Sequence, residues 1–127
     1  MKIQNHWQLD AYKLSVEAAM EIFEMTKSFP KEEMYSLTDQ IRRASRSVSS
    51  QIGEGWKRRK YEGAFINKIN EAEGEAAEAQ VWIEYSVKCN YISRKKGEVL
   101  HKKYNFIIGK LVIMGNNSST WILHQKK

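Results

Sequence analysis

Phe65-Ile66-Asn67-Lys68-Ile69-Asn70-Glu71-Ala72-Glu73-Gly74-Glu75-Ala76-Ala77-Glu78-Ala79-Gln80-Val81-Trp82-Ile83-Glu84-Tyr85-Ser86-Val87 is the stretch that decides the fold class. Within it Phe65, Ile69, Ala72, Ala76, Ala79, Ile83 and Val87 recur in steps of four and three, a near-heptad rhythm that puts them on one face of a long helix. A strand would alternate apolar and polar residues one by one, and no segment of the chain sustains that pattern. The middle of the stripe is alanine, with Gly74 beside it. The predicted helix, ending near Asn90, therefore offers a neighbouring helix a close approach, because no bulky side chain intervenes.

The rhythm continues on both sides. Downstream, Ser93 suits the N-cap of a further helix with Leu100, Tyr104, Ile107, Leu111 and Met114 at core positions and Gly115-Asn116-Asn117 as its stop. Upstream, Met34, Leu37, Ile41, Ser45, Val48 and Ile52 mark a helix predicted to begin at Pro30, with Glu32 and Glu33 in its first turn. Gly53-Glu54-Gly55 is the expected C-terminal cap of that helix. Leu9, Tyr12, Val16, Ala19, Met20 and Phe23 predict a first helix over 9–27. Helices joined by short connections pack against their sequence neighbours, so the expected fold is all-α: an antiparallel, up-down-up-down four-helix bundle. The expectation is a single domain over 1–127, with a core over about 9–115 and a C-terminal tail, 116–127. Trp121, Ile122 and Leu123 in that tail can dock on the bundle or on another subunit.

The chain has 127 residues, 42% hydrophobic and 28% charged, a composition that buries a core without disulfides or metal and excludes disorder. The lone Cys89 cannot form an intramolecular bridge and is expected to be a buried apolar thiol. Met1-Lys2-Ile3-Gln4-Asn5-His6 is not the apolar stretch that a secretion signal needs, so no leader is expected. The longest apolar clusters, from Phe106 to Met114, are broken by Gly109 and Lys110, well short of the roughly 20 residues that span a bilayer. A cytoplasmic protein with no membrane association is expected.

Catalytic and metal chemistry find little to use. A di-metal bundle needs a Glu-x-x-His step on each of two helices, and Glu98-Val99-Leu100-His101 is the single such step here. Leu100 is the core position between its two candidate ligands, so Glu98 and His101 should flank the seam in solvent. His6 and His124 lie near the chain ends without a cluster. Gly53-Glu54-Gly55 lacks the Gly-Lys-Ser/Thr ending of a phosphate loop. Glu71, Glu73, Glu75, Glu78 and Glu84 read as a solvated or ion-paired helix face. No catalytic residue, cofactor or metal is expected, and the protein is read as not an enzyme.

The charge is more informative. The net formal charge is +6 and the pI about 9.4. Arg42, Arg43, Arg46, Lys57, Arg58, Arg59 and Lys60 face a single acid, Glu54, across their segment, which therefore holds the whole excess. At about 100° per residue, Arg42, Arg43 and Arg46 lie roughly opposite the stripe of Ile41, Val48 and Ile52. The turn from Lys57 to Lys60 extends the patch beyond the helix end. Guanidinium forks grip phosphate, so these seven residues are the candidate nucleic-acid contacts. The rival is a protein-interaction scaffold, in which the same arginines pair with helix-three glutamates of a neighbouring subunit. Trp7, Trp56, Trp82 and Trp121 exceed what one small core hides and favour self-association.

Gln40-Ile41-Arg42-Arg43-Ala44-Ser45-Arg46-Ser47-Val48-Ser49-Ser50-Gln51-Ile52-Gly53-Glu54-Gly55 resembles the signature of the four-helix bundle proteins encoded in intervening sequences of 23S ribosomal RNA genes. Phe29-Pro30-Lys31-Glu32-Glu33 and Ala72-Glu73-Gly74-Glu75-Ala76-Ala77-Glu78 are similar to that family as well, and the resemblance extends from Leu9 to about Met114. The chain departs from the family's tendencies at Arg46, Ser49, Gln51 and Glu75. The resemblance implies a homo-oligomer, often a homopentamer, and a kinship with the accessory protein of diversity-generating retroelements, a basic barrel that engages nucleic acid and a reverse transcriptase. RNA or DNA, and such a nucleic-acid enzyme, are thus implied partners.

Overall fold

The structure is a computed structural model in which residues 2–123 are described; His124 and the rest of the tail lie outside the described residues. Four long helices follow one another: α1 (Asp10–Thr26), α2 (Leu37–Lys57), α3 (Glu62–Lys88) and α4 (Arg94–Asn116), with a short α5 (Ser118–Trp121) at the end. Single turns of 3₁₀ helix precede α1 (His6–Gln8) and α2 (Lys31–Glu33). Among the described residues there is no strand, and no helix is long and apolar enough to cross a membrane. Each long helix packs on two others, α1 on α2 and α4, α3 on α2 and α4, which closes an all-helical bundle around one core.

The stripes of α3 and α4 are buried as expected: Phe65, Ile69, Ala72, Ala76, Ala79 and Ile83 meet Leu100, Tyr104, Ile107, Leu111 and Met114, with Val87 half-buried. Large apolar side chains such as these stabilise by roughly 1.5–3 kcal/mol each when fully buried. Ser93 caps α4, its Oγ accepting from the Lys96 N–H at 3.0 Å. At the end of α3 Asn90 adopts φ 62°, the left-handed conformation that asparagine tolerates, and the Tyr91 N–H returns to the Ser86 carbonyl at 2.9 Å. Cys89 sits at this exposed helix end, so the buried thiol expected from sequence is corrected to a solvent-facing one.

Of the small residues expected to allow a close approach at the centre of α3, Ala72, Ala76 and Ala79 are fully buried, but Gly74 beside them takes no part. Gly74 faces open space, whereas a Cβ on Gly97 of α4 would collide with Val87 Cγ2 of α3. The glycines of α2 are corrected too: Gly53 and Gly55 do not end the helix, which runs on to Lys57. A Cβ on Gly55 would lie 3.2 Å from Lys68 Cβ and 3.4 Å from Ile69 Cδ1, so this glycine lets α2 and α3 approach rather than letting the chain turn.

Helix two also starts later than Pro30. Glu33 Oε1 accepts from Ser36 Oγ at 2.6 Å and from the Leu37 N–H at 3.3 Å, while its Oε2 accepts from the Tyr91 hydroxyl at 2.8 Å. A tertiary contact thus pins the carboxylate where it caps a helix beginning at Leu37, and Met34 is left half-exposed. In α1 the buried face is Ala11, Ser15, Ala18, Ala19, Ile22 and Thr26, rotated by about one residue from the predicted stripe. Tyr12, Val16 and Phe23 are half-buried beside that face, Phe23 lying under Arg42 and Arg46 of α2, and Met20 is exposed. The smaller residues allow α1 to settle close, and Ser15 and Ser49 hydroxyls meet at 2.9 Å across the seam.

Contacts gather the helix ends at two poles. At one, Arg42 near the start of α2 bonds Thr26 at the end of α1, and Phe29 packs on Tyr91 between α3 and α4, with ring centroids 5.2 Å apart. At the other, the Trp56 indole N–H donates to the Gln4 carbonyl at 3.3 Å and the Ser118 hydroxyl to Glu62 at 2.8 Å. The described part of the tail docks on its own chain: Trp121 lies edge-on to Trp56 at 6.0 Å and the Leu123 N–H reaches the Arg59 carbonyl at 2.8 Å.

Candidate nucleic-acid interface

Helix α2 positions most of the basic residues. Arg43 and Arg46 are exposed with Ser50 and Lys57 on the outward sector, opposite the buried Ile41, Val48 and Ile52. Arg42 is placed differently from expectation: it leans onto α1, its Nε donating to Thr26 Oγ1 at 2.8 Å and its guanidinium lying 4.9 Å from the Phe23 ring centroid. Arg46 approaches the same ring at 5.6 Å and Lys27 at 4.8 Å. Like charges four residues apart repel on a helix; the negative face of the ring, with the Thr26 bond, holds them together. Arg43 makes a 3.7 Å exposed pair with Asp39.

The second group stands at the far end of α2. At 1.5 Å rise per residue the run from Arg42 to Lys57 is about 22 Å, so the segment that reads as one patch forms two clusters joined by an outward helix face. Lys57, Arg58 and Lys60 are exposed there. Arg59 is half-buried: its guanidinium lies 3.4 Å from the Trp56 ring centroid, its Nε donates to the Trp56 carbonyl at 2.7 Å and its Nη1 to the Trp121 carbonyl at 3.3 Å. Burial draws its pKa down. Arg59 clamps the tail to the bundle. Among the described residues no carboxylate lies within ion-pair reach of Arg42, Arg46, Lys57, Arg58 or Lys60.

Several cations elsewhere are engaged. Lys68 bridges Glu54 and Glu71, each at 3.1 Å, and Lys110 faces Asp10 at 3.8 Å. Glu21 of α1 receives Lys96 at 2.5 Å and Lys103 at 2.6 Å from α4. Burial pushes the Glu21 carboxyl up, but the hydrogen bonds and charges of the two lysines outweigh it and hold the carboxyl below its usual range. Glu73 and Glu75 on α3 are shifted upward by burial. Glu98 pairs with Arg94 at 3.6 Å, and Glu98 and His101 are both solvent-facing. No three His, Cys, Asp or Glu side chains among the described residues converge on a metal position.

Two aromatic residues that the sequence patterns do not assign to the patch flank its far end. Tyr61, directly after the basic turn, is 63% exposed, and Trp7 is 56% exposed beside His6, whose ring lies 3.7 Å from where a Cβ on Gly53 would be. Adjacency to Lys57-Arg58-Arg59-Lys60 could have singled out Tyr61; Trp7 is brought to this end of α2 only by the packing of its neighbour His6 at Gly53.

A family description of 23S rRNA-intervening sequence proteins matches residues 7–112. The chain belongs to that family. The solved structure of a protein of unknown function from the S23 ribosomal protein family of Bacteroides thetaiotaomicron is similar to this intervening-sequence family member, with a TM-score of 0.74 and 26% identity over 84% of this chain and 95% of the other. No curated protein matches it. The match begins at Trp7 and covers α1, α2, α3 and most of α4, including all seven basic residues, whereas α5 and the tail lie beyond it.

Proposed function

We propose that this family member is a non-enzymatic, self-associating four-helix bundle that binds the phosphates of RNA or DNA along the outward face of α2 and the turn that follows it. The observation that carries this reading is the concentration there of Arg46, Lys57, Arg58 and Lys60, all exposed and with no acid partner among the described residues, whereas Lys68, Lys96, Lys103 and Lys110 elsewhere are held by carboxylates. The two-pole gathering of helix ends supports an up-down-up-down path in one domain. The family resemblance supports a homopentamer, a cytoplasmic location and a nucleic-acid enzyme such as a reverse transcriptase as a further partner.

Anisotropy titrations with mixed-sequence RNA and DNA test the reading. Binding is expected at about 50 mM salt and should weaken steeply with added salt, because each neutralised phosphate releases condensed counterions. Absence of binding at that salt would remove it.

One observation favours the scaffold reading. The face of α3 opposite the core exposes Ile66, Gly74, Ala77, Val81 and Tyr85, bordered by Glu73, Glu78 and Glu84, a surface that suits a neighbouring subunit's arginines. In that case Arg42→Gln with Arg43→Gln dissociates the oligomer in sedimentation, and the wild type ignores nucleic acid.

A further inference from the structure

We infer that the basic pole at the end of α2 recognises unpaired, single-stranded nucleic acid, stacking bases on Tyr61, next to Lys60, and on Trp7 at the same pole; this rests on the nucleic-acid reading above and adds the class of substrate. Cations alone do not choose between a strand and a duplex, since both present phosphates and a duplex presents them more densely. Exposed aromatic faces do choose. A duplex hides the faces of its bases in the stack, whereas an open strand offers each face to a ring, whatever the sequence.

Both rings stand on fixed backbone yet remain open. Tyr61 is extended at φ −122° and ψ 114° as the residue capping α3; its N–H donates to the Arg58 carbonyl at 3.1 Å and its carbonyl accepts from the Phe65 N–H at 3.0 Å. The Lys60 ammonium lies 5.7 Å from the centre of its ring, so a base stacked on Tyr61 would carry its phosphate next to a cation. Trp7 belongs to the 3₁₀ turn that Gln8 Oε1 secures by accepting from the Gln4 and Asn5 N–H groups at 2.8 and 2.9 Å. His6 meets the Trp7 ring edge-on at 5.1 Å and packs over Gly53, one helical turn before Lys57. The same pole does bury aromatics where the fold requires them: Trp56 is only 3% exposed. Tyr61 and Trp7 are the ones it leaves facing out.

The experiment compares a labelled mixed-sequence strand with the same strand annealed to its complement, at matched salt, on the full chain. The strand should bind more tightly. Tyr61→Ala and Trp7→Ala should each weaken strand binding by about five- to hundredfold while leaving duplex binding and the salt slope unchanged, and Tyr61→Phe should bind as the wild type does. Circular dichroism and sedimentation on the same variants should match the wild type. A duplex bound as tightly as the strand, or an alanine variant that weakens both equally, overturns the inference while leaving phosphate binding intact. A variant that alters assembly but not strand binding also overturns it, by making the ring a subunit contact. Wild-type protein that binds neither form removes this inference together with the reading beneath it.

Discussion

The α1–α4 seam and the outward side of α2 are both rich in cations, and they treat them in opposite ways. At the seam Lys96 and Lys103 converge on Glu21, and Lys110 faces Asp10. Along α2 and its turn Arg42, Arg46, Lys57, Arg58 and Lys60 find no acid among the described residues. A paired charge contributes to holding two helices in register and projects little field; an unpaired one leaves the fold almost unaffected and attracts polyanions. The number of basic residues therefore says less than the position of the acids.

The largest expected effect comes from removing the unpaired group. Replacing Lys57, Arg58 and Lys60 together by glutamine should flatten the slope of log affinity against log salt by up to about 2–3, at 0.7–0.9 per lost contact, without lowering the melting temperature. Lys96→Gln with Lys103→Gln should do the reverse. If the seam variant flattens the slope as much, the contrast between the two regions fails.

Arg59 sharpens the contrast, because it sits in the basic turn but behaves as a structural residue. Arg59→Gln removes a cation–π contact and the clamp on the tail, and should cost about 1–2 kcal/mol of stability. Chemical denaturation measures it; faster amide exchange around Trp121 should accompany it. An unchanged denaturation midpoint with a flattened salt slope would move Arg59 into the phosphate-binding group.

Glu21 tests the seam itself. Its folded pKa lies below its unfolded value, so it contributes stability above the ordinary carboxylate range, and that contribution is lost as pH falls through the folded value. Glu21→Gln should therefore cost about 1 kcal/mol at neutral pH, with wild type and variant converging in acid. A pH-independent difference would show that packing rather than charge links α1 to α4. The smallest effect belongs to Arg43, whose exposed pair with Asp39 is one helical turn long: Arg43→Gln should change stability by at most about 0.5 kcal/mol, and a larger loss would place Arg43 in a subunit interface.

Much of the architecture was legible locally. The buried faces of α3 and α4 follow from the four-three spacing of Phe65 to Ile83 and of Leu100 to Met114, and the Ser93 cap and the Gly115-Asn116-Asn117 stop were readable from residue type. Helix α1 was misread by one position because its large apolar residues, Tyr12, Val16, Met20 and Phe23, form a stripe as regular as the smaller residues it buries. Of the candidate interface, the segment and its exposed members Arg43, Arg46, Lys57, Arg58 and Lys60 were readable; the split into two clusters and the different settings of Arg42 and Arg59 were not.

By itself the sequence determined that the chain is helical, which faces of α2, α3 and α4 turn inward and where the excess charge lies, because helical periodicity and residue charge are properties of neighbouring residues. Only the tertiary structure decided that Gly55 brings helices together instead of ending one, and that Glu33 caps α2 from a contact with Tyr91, 58 residues away. It also decided which cations are paired, since Glu21 meets Lys96 across 75 residues of chain and Arg59 meets Trp121 across 62. Such pairings are set by how the helices are brought together, and no local pattern records them.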